Sequence, residues 1–213
     1  MAGAEPPLWL GAVKASFRAT LATLLAAFVG CAHPSPPAAS LGPGALARLV
    51  APADFDHALL ATAIFEETNR VRIEYRLPPF GHFPELDRAA DVQATDMAML
   101  LRAEHGNPVR GEHTVAERVA TAGLPYGRMG ENVSMVPARP PPGAPDRAYT
   151  YASLAASLVQ GWMDSPGHRA NLIGRDFTHL GCAARMAHGV PGDDRVFAVQ
   201  DFFLPAKPTE PGR

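Results

Sequence analysis

The pattern of apolar and polar positions predicts helices over the middle of the chain and strands towards its C-terminus. Apolar side chains recur at helical spacing in two stretches: Leu60, Ile64, Val71 and Tyr75 in the first, and Leu86, Ala90, Ala94, Met97 and Leu101 in the second. Asp54 is the predicted N-cap of the first helix, which ends before Pro78, and Pro84 begins the second. Met97 and Met99 are expected to pack rather than to bind a soft metal.

The end of the second helix carries the first residue of chemical interest. Gly106 and Pro108 are helix breakers, so we expect them to end this helix and leave His105 at its C-terminal edge. His113 follows in a loop, where we expect it to be exposed and without a specific role.

Two further helices are predicted before the strands begin. The run Thr114-Val115-Ala116-Glu117 has the spacing of a capping box, which predicts a short helix closed by Gly123. A longer helical pattern runs from Arg147 through Trp162. Ser165-Pro166-Gly167 then stops the helix, so that His168 is presented at the junction between a helical and a strand-rich pattern. A capping or packing histidine is the alternative at this position.

The remaining predicted elements are strands. Gly130 to Met135 predicts the start of one strand, in which Glu131 either points into a cleft or forms an ordinary surface salt bridge. Leu180 to Met186 and Arg195 to Phe202 predict a hairpin, because they are separated by glycine and proline.

The N-terminal segment has the order of a secretory signal. Lys14 and Arg18 precede an apolar run from Ala19 to Val29, which is shorter than the about 20 residues that a membrane-spanning helix needs. The run ends in Phe28-Val29-Gly30-Cys31, which resembles a bacterial lipobox, although leucine is more usual at the position of Phe28. We therefore expect cleavage before Cys31 and its lipidation, with a plain signal peptide or an unspecific apolar start as alternatives. The stretch before Lys14 is long for such a signal, which leaves open a downstream translation start.

Composition divides the chain into four parts. Residues 1–31 form the predicted signal, residues 32–52 a tether rich in proline and alanine that is not part of the fold, residues 53–204 one domain and residues 205–213 a polar tail.

Of the 213 residues, 47% are hydrophobic and 19% charged, as in ordinary globular proteins. The net charge of −2 provides no basic field for phosphate backbones, so we expect no nucleic-acid partner.

Several spaced motifs together resemble the bacterial branch of the CAP superfamily, which includes cysteine-rich secretory proteins, antigen 5 and pathogenesis-related proteins and whose domain is also called SCP. The motifs, in chain order, are His105, Gly130-Glu131-Asn132, Trp162, Ser165-Pro166-Gly167-His168-Arg169, Gly181-Cys182 and Val199-Gln200-Asp201-Phe202. The resemblance covers about residues 53–203. It implies an α+β fold, a three-layer α-β-α sandwich with a small, mainly antiparallel central sheet.

The resemblance also implies a cleft lined by two histidines and two glutamates, in which some members bind a divalent metal, often zinc. The histidines correspond to His105 and His168, and one glutamate corresponds to Glu131. The second glutamate is missing, because its position is Ser165. Two imidazoles and water make a weak zinc site unless Glu131 joins them.

Two functions follow from this resemblance. The first, which we favour because of the missing glutamate, is a non-enzymatic module of the cell envelope, secreted if the lipobox is not used, that binds a lipid, a glycan or a protein. The second is a metal-assisted, peptidase-like hydrolase, with a metal on His105 and His168 and Glu131 as the catalytic base. A structural lipoprotein, in which these residues only brace the fold, is the third interpretation.

The chain has two cysteines, Cys31 and Cys182. Lipidation of Cys31 would leave Cys182 as a single buried thiol in a strand, and a disulfide between the two is the alternative.

Overall fold

The computed structural model describes residues 43–106, 114–144, 146–189 and 193–207. The elements in chain order are α1 (Pro43–Leu46), α2 (His57–Glu74), β1 (Gly81–His82), α3 (Pro84–Leu100), α4 (Val115–Thr121), β2 (Tyr126–Pro137), α5 (Tyr151–Asp164), α6 (Pro166–Ile173), β3 (His179–Ala187) and β4 (Arg195–Pro205), with a 3-10 turn at Pro52–Asp54 between α1 and α2. Within these ranges, none of the helices is long and apolar enough to cross a membrane.

The strands form one four-stranded sheet in the order β1-β3-β4-β2. The predicted hairpin is confirmed, since β3 and β4 pair antiparallel, and β2 extends the sheet antiparallel to β4. The short β1 pairs parallel to β3 through Gly81 and His82 only, because Pro84 begins α3 two residues later. The sheet is therefore mainly antiparallel, as predicted, but mixed in detail.

Helices cover both faces of the sheet. Successive side chains of a strand point to opposite faces, and neighbouring β4 residues accordingly lie in different clusters. Val196, Ala198 and Phe202 pack in the cluster formed with α2, α5 and α6, whereas Phe197 and Val199 pack beneath α3. The order helix, sheet, helix confirms the predicted α-β-α sandwich.

The N-terminal end of α3 lies directly on the sheet at Gly181. A Cβ atom at this position would lie 2.3 Å from the Leu86 Cβ atom and 2.6 Å from the Asp87 backbone nitrogen. Only glycine permits this approach of helix to strand, so Gly181 sets the distance between two layers.

Several helix boundaries differ from the prediction, among them the start of α5, which is Tyr151 rather than Arg147. The N-cap of α2 is Asp56, whose carboxylate accepts from the backbone N–H of Leu59, rather than Asp54, which lies in the 3-10 turn. Helix α3 ends at Leu100, because Leu101 adopts a left-handed conformation with φ of 52°. His105 therefore lies beyond the helix, not at its edge.

A further difference is α6, which was not predicted. Ser165 is extended and serves as C-cap of α5 and N-cap of α6, and Pro166 occupies the first position of the new helix. Proline is tolerated there because an N–H group at the first position would have no acceptor within the helix, so its absence costs no hydrogen bond. His168 thus lies in the first turn of a helix rather than in a turn leading to a strand.

The packed structure begins before the predicted boundary at residue 53. Val50 is buried in the core, and its backbone N–H donates to the Tyr149 carbonyl at 2.8 Å. Leu49 forms an isolated bridge with Thr150. The last part of the predicted tether therefore belongs to the fold.

The capping box of α4 is confirmed, since Thr114 and Glu117 bond reciprocally. Cys182 is free and buried in β3, and burial raises the pKa of its thiol well above the usual value. Cys31 and His113 lie outside the described residues.

Candidate functional site

His105 is positioned by the segment that follows α3. The side-chain amide of Gln93, in α3, donates to the carbonyl of Glu104, and Ala103 packs against the cluster beneath α3. These contacts fold the segment back along the helix. The His105 imidazole remains 58% exposed and is therefore accessible to a ligand.

Glu131, in β2, joins the first histidine to a buried arginine. Its Oε1 atom lies 2.9 Å from Nδ1 of His105, and its Oε2 atom accepts from Nη2 of Arg118 in α4. The side chains of Arg118 and Glu131 are 0% and 2% exposed. The carboxylate is thus enclosed, with one oxygen on each partner.

His168 faces His105 across the cleft, with ring centroids 6.3 Å apart. Its backbone carbonyl accepts from the side-chain amide of Asn132 at 3.2 Å. Asn132 follows Glu131 in β2, so its side chain points to the opposite face of the sheet. Adjacent residues of one strand therefore hold the two histidines.

A buried chain of hydrogen bonds fixes Asn132. Its amide nitrogen also donates to Oε1 of Gln200 at 3.1 Å, and its Oδ1 atom accepts from Asn171 at 2.9 Å. Gln200 in turn donates to the hydroxyl of Thr68 at 2.7 Å. Asn132, Gln200 and Thr68 are fully buried. Such a satisfied network holds side chains in one arrangement.

The outer edge of β2 is closed by residues of α5 and α6. The indole N–H of Trp162 donates to the Val133 carbonyl at 3.1 Å, and the side-chain amide of Asn171 reaches the Glu131 carbonyl at 3.4 Å. Asn171 comes so near that a Cβ atom at Gly130 would lie 3.0 Å from its Oδ1 atom. The glycine before Glu131 thus makes room for the helix that carries His168.

The surroundings of the two imidazoles shift their pKa values in opposite directions. The hydrogen bond to the Glu131 carboxylate raises the pKa of His105 above its usual value. Burial, and secondarily the nearby His105, lower the pKa of His168. His105 therefore binds a proton more readily than His168, and the pair combines a hydrogen-bond donor with an acceptor over an interval of pH.

Asp201 is a buried carboxyl group directly opposite Glu131 in the register of β4 and β2. It is fully buried, and within the described residues neither carboxyl oxygen has a hydrogen-bond donor. Burial, followed by the charge of Glu131, raises the pKa of Asp201 well above its usual value. Its surroundings therefore favour the protonated, neutral form of Asp201 more than water does.

The donor set fits a weak metal site at most. In the part of the chain that the structure describes, no group of three or more histidine, cysteine, aspartate or glutamate side chains is arranged to hold a metal ion. Both oxygens of Glu131 are engaged by Arg118 and His105. Two imidazoles remain for a metal, whereas catalytic zinc sites usually have three protein ligands.

The structure brings together the three residues that the sequence analysis selected, His105, Glu131 and His168. Arg118 and Asp201 complete the site and had not been selected. Asp201 lies within the quoted motif Val199-Gln200-Asp201-Phe202, which was the available signal for it, whereas the pattern of α4 gives no signal that Arg118 is buried.

The family of the chain follows from a comparison with family models. The model described as the cysteine-rich secretory protein family, CAP, matches residues 65–202. The chain belongs to the CAP family. The matched range contains all five residues of the cleft described above, including both histidines.

Bacterial proteins resemble this chain at low sequence identity. The uncharacterized protein YkwD of Bacillus subtilis (strain 168) is 26% identical over 118 residues, which are 55% of this chain and 39% of YkwD. An extracellular SCP-domain protein of Bacillus anthracis has a structure with a TM-score of 0.50 at 24% identity, over 69% of this chain and 41% of that one. An outer surface protein of Borrelia burgdorferi gives a TM-score of 0.48 at 16% identity, over 67% of this chain and 90% of that one. The CAP chain thus spans about two fifths of the length of the two Bacillus proteins.

Proposed function

We propose that the chain is an exported CAP-domain module that binds a ligand in the cleft between His105 and His168 and catalyses no reaction. The ligand is a lipid, a glycan or a protein that offers a polar group to the two imidazoles. Lipid on Cys31 ties the domain to the cell envelope, and without lipidation the protein is secreted. The Bacillus anthracis relative is described as extracellular, which supports export.

This proposal rests on the two contacts that occupy the Glu131 carboxylate. A general base needs a lone pair directed at the proton that it abstracts. Here one oxygen accepts from Arg118 and the other contacts His105. A carboxylate on the inner nitrogen of a histidine fixes the orientation and tautomer of the ring. Glu131 therefore positions His105 and is poorly placed to activate water.

A second candidate, the metal-assisted hydrolase, keeps one supporting observation, namely the facing imidazoles of His105 and His168. In that function the histidines hold a divalent metal, whose chemistry would be to lower the pKa of bound water. Glu131 would have to leave one of its present partners to act as the base.

Zinc titration of the full chain tests both candidates. We expect weak, one-to-one binding that disappears in the variant carrying both His105→Ala and His168→Ala. His188→Ala is the matched control, because His188 is 63% exposed and pairs with Asp194 away from the cleft. Tight zinc binding, together with peptide hydrolysis that Glu131→Gln abolishes in a folded protein, would contradict the non-enzymatic proposal.

The anchor has a separate test. Intact-mass analysis of the membrane-extracted protein should give a chain that begins at Cys31 and carries lipid, and Cys31→Ser should prevent both changes. A protein that retains Met1 without modification would refute the lipoprotein assignment.

A further inference from the structure

A cavity lies apart from the cleft, between the end of α2 and the segment that joins α6 to β3. Its volume is about 370 Å³, and it is lined by Arg72, Pro78, Pro79, Arg175, Phe177 and Thr178. It shares none of these residues with the cleft of His105, Glu131 and His168. Two of the lining side chains are cationic, and none is a carboxylate.

Arg72 is a buried cation without an acidic partner in the described residues. It is 3% exposed, and its guanidinium lies over the Phe80 ring, 3.6 Å from the centroid. Its Nε atom donates to the Pro78 carbonyl at 2.8 Å, and its Nη1 atom donates to the carbonyls of Leu172 and Gly174 at 2.7 and 3.0 Å. Carbonyl oxygens satisfy these donors but leave the full positive charge unpaired.

The remaining nitrogen of Arg72 is free to bind a ligand. Among the described residues, Nη2 of Arg72 has no hydrogen-bond acceptor, although the side chain forms part of the cavity wall. Burying a charge without a partner is costly. An anion in the cavity would supply both the missing acceptor and the missing charge.

Arg175 adds a second positive charge to the same cavity. Burial first, and then the charge of Arg175, lower the pKa of Arg72 to about 10. The nearest acidic residue in sequence, Asp176, is bound by Arg128 at the surface. The two arginines thus produce a positive potential that no carboxylate in the cavity wall balances.

We propose that this cavity binds a phosphate group, held by the guanidinium groups of Arg72 and Arg175. Guanidinium matches phosphate because its N–H groups form paired, charge-assisted hydrogen bonds with phosphate oxygens. The Thr178 hydroxyl lies in the same wall, 2.9 Å from Nδ1 of His179, and it is a further donor to phosphate in the tautomer in which Nδ1 carries the proton. The cavity is of the size usual for small-molecule pockets, so it accommodates part of the molecule to which the phosphate is attached.

Titration of the full chain with inorganic phosphate, at constant ionic strength and with chloride as the reference anion, tests this site. We expect saturable binding in wild type and about tenfold weaker binding in Arg175→Gln, because a hydrogen bond to a charged group contributes about 1.5 kcal/mol or more. Arg175 is exposed, so its replacement should leave the fold intact. Arg88→Gln is the matched control, because it removes the same charge from a side chain that is 64% exposed on α3.

Arg72→Lys is a second variant, which keeps the positive charge but removes the paired N–H donors of the guanidinium group. It should also weaken phosphate binding. Glycerophosphoglycerol, a soluble lipid headgroup, distinguishes the source of the phosphate. Tighter binding of this diester would assign the site to a headgroup, and tighter binding of inorganic phosphate would assign it to a free phosphate or monoester. Binding that does not saturate, or that is equal in wild type and Arg175→Gln, would overturn the proposal. The zinc experiment on the cleft is independent of either result.

Discussion

Replacing Glu131 by glutamine tests whether this residue is chiefly a partner of the buried Arg118. The glutamine has nearly the same shape but no charge, and it retains one oxygen for either Arg118 or His105. Nε and Nη1 of Arg118 already lack acceptors among the described residues. The variant therefore leaves a guanidinium that is 0% exposed without its counter-ion.

Removing one partner of a buried ion pair lowers the free energy of unfolding by about 3–5 kcal/mol. Because glutamine retains one side-chain oxygen, we expect a loss near the lower end of this range. For a domain of this size, each kcal/mol lowers the midpoint temperature by roughly 2–4 °C. We therefore expect Glu131→Gln to lower the midpoint by about 6–12 °C. His105→Ala, which removes the 58% exposed partner of Glu131, should cost less than about 1 kcal/mol.

Urea denaturation of the full chain measures these differences in the free energy of unfolding, provided that its dependence on urea concentration, the m-value, is the same in each variant. The double variant Glu131→Gln with Arg118→Met should recover much of the loss, because it removes the unpaired cation as well. A loss below about 1 kcal/mol for Glu131→Gln alone would refute the assignment of Arg118 as a buried charge that depends on Glu131.

Three further predictions concern titration and packing. NMR titration should give His105 a pKa above that of a free histidine and His168 a pKa below it. Protonated His105 then stabilises the fold at low pH, and this stabilisation is lost as the pH rises through the pKa of His105 in the folded protein. Gly181→Ala should destabilise by about 3 kcal/mol or prevent folding, because its methyl group meets the backbone of α3, and normal thermal stability would contradict this. Asp201→Asn should raise the free energy of unfolding at pH 7, measured by urea denaturation, because the raised pKa of Asp201 makes its ionisation destabilising above the unfolded pKa. A loss of stability would contradict this prediction.

Local signals explain which parts of the fold could be predicted from the sequence. Helix α3 has a long apolar stripe, α4 has a capping box, and β3 and β4 are separated by glycine and proline, so each is specified by its own residues. Helix α6 was missed because Pro166 has the same local signature whether it stops one helix or begins another. The end of α3 was misplaced because Leu101, which adopts the left-handed conformation, is not a residue that marks such a position.

The site was predictable only in part, for a related reason. The motifs containing His105, Glu131 and His168 were sufficient to select these residues, but their partners depend on tertiary contacts. Arg118 is 13 residues from Glu131 on another element, and a charged residue in a short helix is ordinarily solvated. Only the packing of α4 against the sheet makes Arg118 the counter-ion of Glu131.

The bond from Asn132 to the His168 carbonyl has a consequence for how this domain can change in evolution. Because neighbouring residues of β2 hold both histidines, the width of the cleft depends on strand register and not on loop length. Insertions between β2 and α5, where residues 138–144 form no helix or strand, can therefore accumulate without moving either imidazole. The same pair of histidines can then be presented within rims of different shape and charge, which allows ligand preference to diverge while the central chemistry is retained.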